Sequence, residues 1–388
     1  MTYLVAFLSS PASWAVYFSL GFIILHLVSV AIAASRCPLS RQPRQDSQPL
    51  VAAAPPISIV RPVCGIDNFV AETLASSFFL DYPNYEMIFC VASADDPAVE
   101  LIQRLIASHP QIASKLLIGD DRISANPKLN NCVKGWKASC HEWIILADCN
   151  VLLPKDFLQR MLGAWRSDTG LVCSTPIGAR PKGFFAELEC AFLNTYQAKW
   201  QYVSEAIGLG FAQGKTMLWQ RRILEQAGGI RALASEIAED AAATKVVRSA
   251  GLHVQLVDHS FEQPLGRRKI KEVWARQVRW ARLRRATFPV FFLPEVLAGS
   301  AFPVLAAAYA AFRADLNIIP IVFLFYGLWF AAEATLAYVA GWYVSVRMLL
   351  AQLLRDILLP ILWIDCWLAD DFVWRGNDMT VTPGTAAE

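Results

Sequence analysis

Three acidic sites and one arginine-tryptophan motif contain the residues best suited to chemistry. They are Asp95-Asp96 in ASADDPA, Asp148-Cys149-Asn150 directly after WIIL, Glu239-Asp240 in AED, and RQVRW at 276–280. Each also admits an ordinary structural use. Asp95-Asp96, standing before Pro97, reads by itself as a helix N-cap. Asp148 and Asn150 offer a carboxylate and an amide oxygen two residues apart. Such a pair can hold a hard divalent cation that neutralises a nucleotide diphosphate, although a turn is its default use. Glu239-Asp240 either complements a helix dipole or supplies a general base that takes a proton from an acceptor hydroxyl. On a helix, Arg276, Arg279, Trp280 and Leu283 share one face at i, i+3, i+4 and i+7, whereas Arg282 and Arg285 fall on another. The planar guanidinium fork suits a diphosphate. Arg282, Arg284 and Arg285 are free to form a cationic collar at a bilayer surface.

These residues need a scaffold that brings them together. Apolar runs at 57–60, 85–93, 115–119, 143–148, 171–177 and 253–257 predict strands, and the patterns at 67–80, 97–108, 129–140, 154–165 and 236–250 predict helices. Strands alternating with helices make an α/β domain with a largely parallel sheet. In such sheets ligands bind at the carboxyl ends of the strands, where Asp95-Asp96 and Asp148 fall.

The composition places this domain at a membrane. Of the 388 residues 55% are hydrophobic, and the mean hydropathy is +0.37, too apolar for an ordinary soluble globule. Residues 14–34 carry no Lys, Arg, Asp or Glu and are long enough to span a bilayer. Arg36, Arg41 and Arg44 follow that run, which predicts a cytoplasmic location for what comes next. The expected organisation is a region 1–36 with a span at about 14–34 and a linker at 37–56. A cytosolic catalytic domain then covers 57–286, a membrane region of two to three spans 287–370, and a polar tail 371–388. The nine cysteines form no CxxC pair, which fits reduced thiols rather than a disulfide or zinc framework. Residues 267–285 hold nine Lys or Arg against Glu272 alone. That polybasic run attracts anionic headgroups, and nucleic acid is not expected, since no zinc, helix-turn-helix or RNP signature accompanies it.

The acid pair, the Asp-x-Asn, the Glu-Asp and the RxxRW occur in this order ahead of apolar helices. In that combination the chain resembles the ceramide glucosyltransferases of glycosyltransferase family 21, relatives of the large family 2. LDYPNYE (80–86), NPKLNN (126–131), GLVCSTP (170–176), QAGGIRALASEIAED (226–240) and RQVRW extend the match over roughly 57–295. The resemblance implies a GT-A fold, Rossmann-like with a mostly parallel sheet, and transmembrane helices at both ends. It implies that Asp96, with Asp95 beside it, contacts the uridine end of a UDP-sugar. Asp148 would hold diphosphate and, with Asn150, a Mg²⁺ or Mn²⁺ ion, and Asp240 would be the base. Lys128, Arg276, Arg279 and Trp280 would engage the diphosphate and close the donor site. Two departures stand out. The second motif ends in Asn150 rather than an acid, and NTYQAKW (194–200) lacks a His found in relatives.

The function so implied is inverting transfer of glucose from UDP-glucose to the primary hydroxyl of ceramide. Alternatives keep the chemistry with galactose or glucuronic acid, or with diacylglycerol or a hopanoid as acceptor. A processive polysaccharide synthase is disfavoured by the few spans and by RxxRW in place of QxxRW. A non-catalytic membrane scaffold leaves Asp96, Asp148 and Asp240 without a shared reason. The expected setting is a bacterial inner membrane in preference to the Golgi, with the catalytic domain cytoplasmic.

Overall fold

A computed structural model describes residues 10–37, 48–374 and 377–381. The chain forms two compact units. One comprises Arg36–Lys182 and Gln201–Arg267; the other comprises Gly183–Trp200 with the described parts of Met1–Ser35 and Arg268–Glu388.

The first unit is built on strands β1 (Ile57–Val63), β2 (Tyr85–Val91), β3 (Ala113–Ile118), β4 (Trp143–Ala147), β5 (Thr169–Cys173), β6 (Ile177–Lys182), β7 (Thr216–Gln220), β8 (His253–Leu256) and β9 (Glu262–Arg267). Seven of them form one sheet in the order β3-β2-β1-β4-β7-β5-β8. Every residue of β1, β2, β4 and β5 is buried, as expected of near-continuous apolar strands covered on both faces. Neighbours β3/β2, β2/β1, β1/β4 and β5/β8 run parallel. The α/β class with a mostly parallel sheet is therefore the one expected.

Three strands were not expected. β7 runs antiparallel between β4 and β5, making the sheet mixed. Its five residues, TMLWQ, show no polar–apolar alternation, although Gly214 and Lys215 form a turn just before them. β6 and β9 pair in a small parallel ladder and carry Gly178 and Pro181, and Pro264 and Gly266, residue types that argue against strands.

The second unit is helical. Pro11–Arg36 and Ile318–Val339 are long and apolar enough to cross a membrane, and the bent pair Pro289–Leu297 and Ala301–Arg313 makes a third if it is one span. Val346–Leu368 is also a long helix, but it carries Arg347, Arg355, Asp356 and Asp365 and buries Arg355 and Asp356 completely. The unit also holds Phe184–Ala191, a π-helix at Phe192–Ala198, and the basic helix Ile270–Thr287. Of the linker expected at 37–56, residues 38–47 lie outside the described residues, and Gln48–Ala53 is helical. Residues 371–374 and 377–380 form a hairpin in the expected tail, whose last seven residues are outside those described.

Candidate active site

β4 ends at Ala147, and the Asp-Cys-Asn turn follows at once. The backbone N–H of Asp148 donates to the Lys215 carbonyl at 2.9 Å, just before β7. This antiparallel neighbour brings residues 213–215 beside the turn. The third element is the helix Pro127–Ala138, opened by the NP of NPKLNN. Asn126 caps it, accepting from the N–H groups of Lys128 (2.9 Å) and Leu129 (3.1 Å), with Pro127 in the first turn. Lys128 is thereby fixed in the opening turn. The helix Glu239–Ser249 supplies the fourth element, with both acids in its first turn.

The four elements meet at Lys128. Its ammonium lies 2.7 Å from Asp148 Oδ1 and 2.7 Å from Glu239 Oε1, and it donates to the Gly214 carbonyl. The Gly214 N–H donates to Asp240 Oδ2 at 3.0 Å. Asn126 Nδ2 donates to Glu239 Oε2 at 2.6 Å, so the helix cap also orients this acid. Gly214 stands in the middle: a Cβ there would lie 2.5 Å from Glu239 Oε1 and 2.9 Å from Lys128 Nζ. Only glycine leaves these groups room to meet.

The charges of this cluster interact strongly. Burial acts to raise the Asp148 carboxyl, but Lys128 and Lys215 outweigh it and hold the group well below the ordinary carboxylate value. Burial acts against the Lys128 charge, yet Asp148 and Glu239 keep its ammonium well above the usual lysine value. Asp240 goes the other way. Burial, and then the Glu239 charge, push its carboxyl up to about 6, against Lys128 and the Gly214 N–H. A carboxylate in that range is poised to take a proton near neutral pH.

The cation expected at Asp148 and Asn150 is compatible with their geometry. Lys215 Nζ lies 2.9 Å from Asp148 Oδ2 and 3.2 Å from Asn150 Oδ1, so both side chains already converge on one positive charge. A hard divalent ion takes such oxygen donors and completes its shell with substrate phosphate and water. Among the described residues no group of three or more His, Cys, Asp or Glu could hold a metal ion. Asp148 and Asn150 would offer such an ion one carboxylate and one amide oxygen.

Asp95 and Asp96 lie beyond β2, which β1 separates from β4 in the sheet. Asp96 accepts from the Gly65 N–H at 2.8 and 3.1 Å and from the Ala98 N–H at 2.8 Å. It caps the helix Ala98–Ser108 and fastens the loop after β1, while Asp95 is exposed. Arg276, Arg279 and Trp280 belong to the other unit, on Ile270–Thr287. There Arg276 pairs with the fully buried Glu189, which also lies 3.3 Å from Arg268. The anticipated collar is engaged with protein acids: Arg282 with Asp365, Arg284 with Glu295 and Arg285 with Asp370. Sequence reasoning missed Lys215 and Gly214, took Asn126 only as part of NPKLNN, and saw Glu239 only as a neighbour of Asp240. Lys215 and Gly214 carry no local signal, because each acts through contacts between distant segments.

The family model of glycosyl transferase family 21 matches residues 21–387. The chain belongs to glycosyltransferase family 21, and it is a membrane-associated glycosyltransferase. Ceramide glucosyltransferase 3 of Caenorhabditis elegans is 26% identical over 362 residues, 91% of this chain and 77% of that protein. Ceramide glucosyltransferase 1 of the same organism is 25% identical over 85% of this chain and 72% of its own. Among solved structures, a mannosyltransferase from Pyrobaculum calidifontis in complex with GDP-Man and Mn²⁺ is similar at 17% identity, over 92% of this chain and 97% of that one, with a TM-score of 0.48. The family 21 motifs fall on the elements just described: the Asp-x-Asn after β4, Glu-Asp at a helix start and RxxRW on the basic helix. The stretch expected to differ from the family, 194–200, begins in the π-helix Phe192–Ala198, where Asn194 and Thr195 are wholly buried.

Proposed function

We propose that the enzyme transfers glucose from UDP-glucose to the primary hydroxyl of ceramide with inversion, giving β-glucosylceramide on the cytosolic side of a membrane. The observation that carries this reading is the meeting of Asp148, Glu239 and Asp240 around Lys128 and Gly214, in a chain related over most of its length to ceramide glucosyltransferases. Sugar and acceptor are taken from those relatives.

In this reading an Asp240 oxygen accepts the hydroxyl proton. The hydroxyl oxygen bonds to the anomeric carbon as the bond from that carbon to the β-phosphate oxygen breaks, and UDP departs. Such proton transfer contributes about 10²–10⁴-fold in rate. Lys128 already uses its three donors, on Asp148, Glu239 and the Gly214 carbonyl. Binding the donor diphosphate therefore exchanges at least one of these bonds for phosphate. Asp148 and Asn150 would hold a Mg²⁺ or Mn²⁺ ion, which supplies charge neutralisation for the departing diphosphate. Asp96 is assigned to the uridine end, and Arg276, Arg279 and Trp280 to the diphosphate. For Arg276 that means sharing its guanidinium with Glu189.

The test is an assay of membranes containing the protein with a panel of UDP-sugars (glucose, galactose, glucuronic acid) and lipids (ceramide, diacylglycerol, a hopanoid), with products identified by mass. A ceramide monohexoside formed from UDP-glucose is expected. Product only from another pair moves the substrate assignment, and long polymer without lipid acceptor overturns it.

A further inference from the structure

β1 is a core strand of the sheet, yet its fifth residue is an arginine that is wholly buried. Pairing of β1 with β4 runs from Ile57↔Trp143 to Val60↔Leu146 and stops there, so Arg61 is the first residue past that ladder. Its guanidinium meets the turn that follows β4. Nη2 donates to the carbonyls of Asp148 and Val151, each at 2.8 Å. Nη1 donates to the Thr73 carbonyl and the Ser77 hydroxyl, each at 2.6 Å. Thr73 in turn donates through Oγ1 to the Cys149 carbonyl at 2.6 Å, and Ser76 Oγ accepts from Leu153 N–H at 3.0 Å. The carbonyls of residues 148, 149 and 151 are thus all held by side chains from one side, while the Asp148 and Asn150 side chains reach the lysines.

Burying a guanidinium is unfavourable, and here its partners are three carbonyls and a hydroxyl rather than a carboxylate. An aliphatic residue would suit this strand better on burial alone. The arginine therefore needs a task that an aliphatic residue cannot do. The planar fork ties the 148–151 turn, through Nη2, to the Thr73 carbonyl and Ser77 hydroxyl, through Nη1, at a fixed spacing that a compact ammonium does not reproduce. It also places a positive charge behind a turn whose front receives an anion.

We propose that Arg61 is a positioning residue of the donor site, fixing the backbone of the 148–151 turn so that Asp148 and Asn150 present their oxygens to one point. This rests on the reading of that pair as the diphosphate and metal contact. Groups that orient a ligating carboxylate typically change affinity by about 10–100-fold when altered.

The test uses the full-length protein in detergent, as wild type, Arg61→Lys and Arg61→Met. UDP affinity is measured calorimetrically with and without Mn²⁺, and KM for UDP-glucose and kcat are measured separately. Arg61→Lys, which keeps the charge without the fork, is expected to unfold near the wild-type temperature. It should bind UDP about tenfold more weakly in Mn²⁺, with KM rising in step and kcat changing less than about threefold. If Arg61→Met does not fold, Arg61→Lys decides alone. Thr73→Val, which removes the hydroxyl's bond to the Cys149 carbonyl along with its longer contacts to the Phe69 and Val70 carbonyls of its own helix, should move UDP affinity in the same direction by a smaller factor. Wild-type UDP affinity in folded Arg61→Lys overturns the proposal and leaves the donor site standing. Absence of UDP binding by the wild type removes the donor-site reading and Arg61's task with it.

Discussion

Lys128 in the sheet unit and Arg355 in the helical unit are each shared between two acids, but they are held differently. Lys128 joins Asp148 to Glu239 at 2.7 Å each, at the ends of strands and helices, with about a sixth of its side chain still exposed. Arg355 lies 3.0 Å from Glu333 and 2.6 Å from Asp356 and donates to Thr195 Oγ1 and the Ala191 carbonyl, and all three charged groups are closed off. Lys199, equally buried, lies 3.7 Å from Glu333 and 3.1 Å from His26, whose ring stacks on Trp329. In the helical unit the ions link segments that are otherwise joined by apolar packing and a few neutral hydrogen bonds. In the sheet unit Lys128 keeps the mutually repelling Asp148 and Glu239 close together. Burial of an ion pair does not by itself separate these uses; access and the loops that carry the partners do.

The largest effect should come from the sheet unit. Asp240→Asn is expected to lower kcat by about 10²–10⁴-fold while leaving UDP affinity within a small factor. The wild-type pH profile of kcat/KM should carry an acid limb near pH 6, because the base works only when deprotonated and burial and Glu239 raise its carboxyl to about that value. Activity should fall as pH drops through this range, and the limb should vanish in the Asn variant's residual rate. A limb at the ordinary aspartate position would show that Glu239 and burial do not act on the catalytic group. Near-normal turnover of Asp240→Asn would remove the base assignment itself.

A cut in the helical unit should be read in stability instead. Arg355→Met leaves Asp356 buried without its cation and Glu333 with Lys199 alone, a loss of about 3–5 kcal/mol. Thermal unfolding in detergent should drop accordingly, whereas the KM for UDP-glucose of the folded fraction should not move. Replacing all three, as Arg355→Met with Glu333→Gln and Asp356→Asn, should recover much of the loss. If instead KM rises while stability holds, the contrast between the two units fails.

How much of this was legible beforehand follows the same division. Asp148 and Asp240 could be found because strand ends and helix starts are readable from periodicity, and Lys128 because NPKLNN resembles the family's stretch. Lys215 could not, since it joins Asp148 across 67 positions by way of β7, a strand whose residues show no alternation to announce it. Arg61 fell just past the strand expected at 57–60, and its partners at 73, 77, 148 and 151 come together only once the sheet is assembled. Glu333, Arg355 and Asp356 were visible as charges in apolar tracts, but which would pair was set by helix packing.

The smallest effect concerns Arg284, which the helical periodicity placed among collar residues facing lipid headgroups. It lies instead against Glu295, with Nε at 2.8 and 3.2 Å from the two carboxylate oxygens and Nη2 at 2.8 Å. Tyr196, Phe292, Leu359, Leu362 and Trp363 line the same crevice. A guanidinium bound in this bidentate way has little left to offer a phospholipid. The pair is partly open to solvent, with side chains 30% and 24% exposed, so it contributes at most about 1 kcal/mol. Arg284→Ala should therefore shift the unfolding temperature by a few degrees at most and transfer by less than about twofold, without making membrane attachment sensitive to salt. Attachment rests on the apolar helices, which no single surface charge replaces. Salt-dependent release of Arg284→Ala from anionic vesicles would restore the collar. Release of wild type and variant at the same salt concentration would show that charges elsewhere in 267–285 hold the protein to anionic lipid.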